Sequence, residues 1–296
     1  MYEQFITGLF TTLKERISDE LVYRDLTQAQ LNRAYDNRAA VRDSASCFAR
    51  WAEDSAALYQ SRLVFRDLRY GPAQRQRLDF FPATRVGRPT LFFIHGGYWQ
   101  WGDKEDEAFV AGGPLAHDIN VVNVEYTLCP QISLDGTVAE IDAALDWLCP
   151  RLREFNAEPD GVIVGGSSAG AHLAAMMLRR ADVYGALLIS GVYDLEPIRA
   201  SRLNEVLRMD RRMARRNSPI LHIPARAIPV SFAVGAQELP EMIRQSDDCH
   251  AAWVKGGFPS SRATLSAVNH FTIMDELAQP DGRLTTALLH LCRQSV

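Results

Sequence analysis

No stretch of this chain approaches the ~18 consecutive apolar residues that a membrane span requires. The opening "MYEQFITGLFTTLKERISDE" has neither a basic start nor a long apolar core, so it does not read as a secretory leader. Cysteine is sparse: five residues (Cys47, Cys129, Cys149, Cys249, Cys292), odd in number and with no C-x-x-C pair. That spacing excludes a disulfide framework and a zinc site of the usual kind. Positive charge is not in excess either. The net charge is −4, which gives no electrostatic reason to expect nucleic acid or an acidic membrane surface as partner. The one basic run, "MDRRMARRNSP", reads as a solvated helix face. Internal repeats and low-complexity linkers are missing too. These absences point to a cytoplasmic protein that needs no metal or cofactor, acts on a small molecule and is compatible with a homodimer.

What is present is a chain of 296 residues, 47% of them hydrophobic, enough to bury one large core with an appendage. Residues 1–60 are rich in helix formers with broken periodicity, as in "LTQAQLNRAYDNRAAV" and "CFARWAEDSAALYQSRL". They are expected to form a helical segment, a partial lid. From residue 61 the pattern changes. "RLVFRDLRYG" and "QRLDFFP" predict two strands joined by a turn at Gly71-Pro72, and "PTLFFIH" a strand buried on both faces. Strands and helices then alternate to the C-terminus, which predicts an α/β fold over 61–296 with a mostly parallel central sheet and helices on both faces.

In such a sheet, functional groups collect at the carboxyl ends of the strands. "VIVGGSSAGAHLAAMML" carries two adjacent serines in a strand-to-helix turn. A nucleophile there needs small residues two places before and after it, because strand and helix nearly touch. Ser168 has Gly166 and Gly170 in those places; Ser167 has Gly165 and Ala169 and fails the pattern. A serine hydroxyl needs an imidazole to take its proton, and the imidazole needs a carboxylate to fix its tautomer. His270 follows the strand "ATLSAVN" in a short polar break and is the best placed of seven histidines. Two carboxylates compete for the acid role. Glu238 follows "PVSFAVGAQ", and Asp194 lies in "SGVYDLEPI" after the preceding strand. Donors for an oxyanion are expected from "FFIHGGYWQWGDK": the N–H groups of Gly97 and Tyr98, with Ala169 after the nucleophile. Trp99 and Tyr35 are the candidate aromatic walls for substrate, with Trp101 and Trp51 nearby in sequence or lid.

"HGGYWQWGDK", "GGSSAGAHLAA", "ISGVYDLEPI" and "NHFTIMDEL" resemble the arylformamidase (kynurenine formamidase) branch of the α/β-hydrolase fold, near the hormone-sensitive-lipase-like esterases. "LNRAYDNR" and "YGPAQRQRLDFFP" resemble it as well. The resemblance implies a metal-free serine hydrolase that cleaves formyl- or acetyl-sized aryl amides or esters through an acyl-enzyme. It assigns Ser168 as nucleophile, His270 as base and Glu238 at the acid position, where that branch usually has Asp. The alternatives are a general carboxylesterase and a non-catalytic binding protein on a hydrolase scaffold.

Overall fold

The computed structural model describes residues 20–294; the leader reading and the first third of the helical segment, residues 1–19, lie outside the described residues. A short hairpin comes first, β1 (Leu21–Tyr23) and β2 (Leu26–Thr27). The main sheet has eight strands: β3 (Phe65–Arg69), β4 (Arg77–Phe81), β5 (Thr90–Ile94), β6 (Asn120–Val124), β7 (Val162–Ser167), β8 (Val183–Ile189), β9 (Val230–Gly235) and β10 (Ser260–Leu265). Their order across the sheet is β10-β9-β8-β7-β5-β6-β4-β3. Only β4 runs against its neighbours β3 and β6; every other pairing in this sheet is parallel.

The central strands explain why this sheet must be covered twice. All five residues of β5 are buried, as are all six of β7 and of β9. Side chains of a strand alternate between faces, and β5 shows it. Phe92 and Ile94 join a core with the helices Leu134–Leu148, Ala169–Met176 and Pro240–Lys255, while Leu91 and Phe93 join another with Met274, Leu284 and Leu288. The edge strand β3 is mostly exposed and carries Arg66, Asp67 and Arg69, charges that discourage pairing with another sheet.

The segment before β3 is tied into both cores. The helix Gln28–Ala34 starts in a reciprocal cap: Thr27 Oγ1 accepts from the Gln30 N–H, and Gln30 Oε1 accepts from the Thr27 N–H. Its Leu31, with Tyr35 just beyond, enters the first core. The longer helix Ser44–Ser61 sends Trp51 into the second, stacked on Phe109 at 5.3 Å between centroids. The irregular stretch between β8 and β9 holds three short helices, Glu196–Ala200, Asn204–Leu207 and Arg211–Arg216. The basic run forms the last of these; Asp210 caps it and Arg216 pairs with Asp135 at 2.5 Å.

One close approach fixes the centre of the sheet. A Cβ on Gly170 would stand 1.9 Å from the carbonyl oxygen of Ile94, and one on Gly166 would stand 2.4 Å from the Gly170 backbone. By contrast, a Cβ on Gly185 in β8 would meet Ile163 at an ordinary 3.5 Å. Gly170→Ala is therefore expected to lower unfolding free energy by about 2–3 kcal/mol, as overpacking does. Gly185→Ala should cost less than about 1 kcal/mol. Urea titrations of the two variants check this, and equal losses would contradict it.

Candidate active site

β7 ends at Ser167, and the helix Ala169–Met176 begins two residues later. Ser168 makes the turn between them at φ +56°, ψ −117°, a conformation that L-residues avoid and surrounding packing must enforce. Its N–H donates to Ile189 O at 2.8 Å, which ties the turn to the neighbouring strand. Ser167, by contrast, still pairs within the sheet opposite Ile189.

Glu238 lies three residues beyond β9 and His270 five beyond β10. The loops bring them together: His270 Nδ1 is 2.7 Å from Glu238 Oε2. The other carboxylate oxygen accepts from Ser190 Oγ and from the Gly235 N–H, both at 2.6 Å. The carboxylate thus folds back on the end of its own strand, a path for which the extra methylene of Glu is suited. Asp194 is committed elsewhere. It accepts from the Tyr23 hydroxyl (3.1 Å) and from the Glu196 N–H (3.0 Å). Of the two acids left open by sequence, Glu238 is the one that meets the imidazole. Ser190 has no part in the sequence reading, although its position at the end of a central strand beside β9 is the signal that could have marked it.

The loop after β5 turns through two unusual residues, Tyr98 at φ +47° and Trp99 at φ +59°, preceded by Gly97 at φ +104°. A Cβ on Gly97 would sit 2.0 Å from Trp101 O, so the turn excludes a side chain there. The Gly96 N–H is taken by Glu107 Oε1 at 3.2 Å. Among the described residues' hydrogen bonds, the N–H groups of Gly97, Tyr98 and Ala169 have no acceptor. The Tyr98 phenol latches the loop to the N-terminal segment: it donates to Tyr35 O (2.9 Å) and accepts from Asn37 Nδ2 (3.2 Å).

The two expected aromatic walls fare differently. Tyr35 lines the cavity, but its hydroxyl points into a polar cluster, donating to Glu241 Oε2 (2.8 Å) and accepting from Gln245 Nε2 (3.0 Å). Trp99 is a correction. It is fully buried and does not line the cavity. Its indole N–H donates to His172 Nδ1 (3.2 Å), and His172 Nε2 faces Asn217 O at 2.7 Å. Burial pushes the His172 pKa down to about 4, so the ring is neutral with its proton on Nε2. Trp99 therefore braces the loop against the helix that follows Ser168, and Trp101 takes the place at the wall.

Below the loop lies a buried charge cluster. His95 faces Gly96 O (2.8 Å) and Glu125 Oε1 (3.0 Å) with its two nitrogens and stacks on Tyr126 at 4.3 Å. Burial pulls its pKa down, but the Glu125 carboxylate outweighs that and leaves it raised. Arg75 holds the same Glu125 oxygen at 2.7 Å. Glu107 sits beside them. Burial pushes its carboxyl up to about 7, against the pull of His95 and the Gly96 N–H, and its Oε2 has no hydrogen-bond partner among the described residues.

Ser168 and His270 share one cavity of about 420 Å³ with Gly97, Tyr98 and Glu107. Ring side chains of Phe48, Trp51, Trp101 and Phe271 line it, and Ser201–Leu203 from the stretch between β8 and β9 close another side. An imidazole held by a buried carboxylate, on one cavity with a serine on a strained turn and with free N–H groups, can perform base-assisted attack on a carbonyl. Among the described residues, no group of three or more His, Cys, Asp or Glu could hold a metal ion, and no helix is long and apolar enough to cross a membrane.

Sheet order, turn and site together define an α/β-hydrolase. Residues 78–184 match the BD-FAE family model, and the solved structure of a provisionally assigned thioesterase from Silicibacter superposes with a TM-score of 0.80 at 26% identity, covering 88% of this chain and 99% of that one. The chain belongs to the kynurenine formamidase family. It is 30% identical over 244 residues to kynurenine formamidase of Danio rerio, covering 77% of this chain and 82% of that protein. The Salmo salar kynurenine formamidase is 29% identical over 299 residues, 95% and 99% of the two chains. The protein is a hydrolase of small substrates.

Glu107 generates a stability prediction whose sign is fixed by its raised pKa. Between the ordinary carboxyl value of 4.5 and about 7, the folded chain keeps a proton that the unfolded chain releases. Stability is therefore expected to fall as pH rises through that window and to level off above it, by about 3 kcal/mol from this group. Glu107→Gln should remove that part of the slope. Urea unfolding of both proteins from pH 5 to 8 tests it, and an unchanged slope in the variant contradicts it.

Proposed function

We propose that this hydrolase is an arylformamidase-type enzyme with Ser168 as nucleophile. The observation that carries the reading is the 2.7 Å contact between His270 Nδ1 and Glu238 Oε2, with Ser168 and His270 on one cavity. Ser168 Oγ attacks the carbonyl carbon while His270 Nε2 takes the hydroxyl proton. Glu238 holds the ring in the tautomer with its proton on Nδ1 and stabilises the imidazolium. The N–H groups of Gly97, Tyr98 and Ala169 receive the oxyanion, a contribution of several kcal/mol to the barrier. The imidazolium returns its proton to the leaving aryl nitrogen or oxygen, and the C–N or C–O bond breaks. A water then repeats the sequence against the acyl-enzyme and frees the acid.

The name of the relatives supports an N-formyl aryl amide as substrate. The ring side chains around the cavity support an aryl leaving group, since offset stacking adds about 0.5–1.5 kcal/mol beyond burial. Residues 20–61 and 196–216 act as the cover of this site. Ester cleavage by the same machinery is the second reading, and substrate profiles separate the two: kcat/KM for N-formylkynurenine should exceed that for p-nitrophenyl esters of long acyl groups.

Ser168→Ala is expected to abolish labelling by a fluorophosphonate and to remove most activity, whereas Ser167→Ala retains a substantial part. Similar losses in two folded variants would mean the turn is misassigned. Glu238→Gln should lower kcat far more than Asp194→Asn, toward the ~10⁴-fold loss that a wrong tautomer causes; the reverse ranking would move the acid. For the acyl side, kcat/KM is expected to fall at least about tenfold from a C2 to a C8 ester of one phenol, equivalent to about 1.4 kcal/mol. A flat or rising profile would support the general esterase.

A further inference from the structure

The motif "LNRAYDNR" contributes Tyr35 and Asn37 to the latch on Tyr98, but its Arg38 is left without a task. Arg38 lines the same cavity as Ser168 and His270. Its guanidinium carbon lies 5.0 Å from the ring centre of Phe48 and 4.8 Å from that of Trp101. Both rings touch the catalytic loops: Trp101 packs edge-on against Tyr98 at 5.9 Å, and Phe48 against Phe271, next to His270, at 5.0 Å. Two rings flank the cation, and its N–H groups make no hydrogen bond among the described residues. Among the described residues no carboxylate pairs with it. The other arginine on this cavity, Arg202, is already neutralised by Asp36.

An unpaired guanidinium between two rings on the wall of a substrate cavity can meet a carboxylate by two parallel N–H bonds. We infer that Arg38 docks a carboxylate that the substrate carries away from the bond being cleaved, so that this hydrolase prefers substrates with that carboxylate over analogues in which it is an uncharged amide. The inference rests on the hydrolase reading of the same cavity. It makes Arg38 a specificity residue with no part in proton transfer or in attack. Charge-assisted hydrogen bonds contribute about 1.5–3 kcal/mol, so the selectivity at stake is at least about tenfold.

The test compares N-formylkynurenine, a zwitterion at neutral pH, with its α-carboxamide, which keeps the α-amino group and lacks the carboxylate. The natural chain is expected to prefer the carboxylate at least tenfold in kcat/KM, chiefly through KM. Arg38→Gln should reduce that ratio at least tenfold. A smaller preference in the natural chain, or a smaller change in the variant, overturns the assignment. The first comparison stands even if the variant does not fold. Should neither formamide be turned over, the formamidase reading fails. The same ratio, read with 3-(4-acetoxyphenyl)propanoate and its carboxamide, then decides the role of Arg38 by itself.

Discussion

The contact between the backbone at Gly170 and the carbonyl groups of Ile94 and His95 governs this molecule, because it sets two functional loops at once. It is possible only without side chains at positions 166 and 170. On one side of the contact the chain must turn through Ser168 in a left-handed conformation. On the other, the strand β5 runs directly into the loop that carries Gly97 and Tyr98. The distance between hydroxyl and N–H donors is therefore inherited from strand-to-helix packing at the centre of the sheet. Preorganisation of this kind removes the need to reorganise during reaction.

Around that contact the site is held by interlocking polar anchors. Ser190 and the Gly235 N–H occupy one oxygen of Glu238 and leave the other for His270. Trp99 and His172 brace the loop from behind, while Tyr35 O and Asn37 hold Tyr98 from in front. The charge cluster of His95, Glu125 and Arg75 supports the same loop from below. Each anchor comes from a different part of the chain, so the geometry at the cavity depends on the whole domain being folded.

The cavity itself combines two chemistries. Ring side chains line it, and it also presents charge, with Arg38 free of a carboxylate partner among the described residues and the Glu107 carboxyl pushed up to about 7 by burial. The N-terminal segment contributes Arg38, Phe48 and Trp51 to the wall of this cavity.

Much of this was legible in the sequence, and the parts that were share a cause. The apolar run of β5, the glycines flanking Ser168 and the glycine at 97 answer demands that act within a few residues: burial on both faces, close approach and a turn. His270 could be picked out because it alone followed a late strand in a polar break. The choice of acid could not be read, since Glu238 and Asp194 both follow strands and only folding shows that Asp194 is spent on Tyr23 and Glu196. Nor could the direction of Trp99, which backbone turns at two consecutive positive φ values send into the core instead of the cavity. Sequence by itself determined the alternating α/β order, the serine turn and the glycine loop, because local sterics and periodicity leave their mark residue by residue. Tertiary structure alone decided which carboxylate meets the imidazole, which rings line the cavity and that Arg38 stands without a carboxylate partner, because these depend on approach through space between segments far apart in the chain.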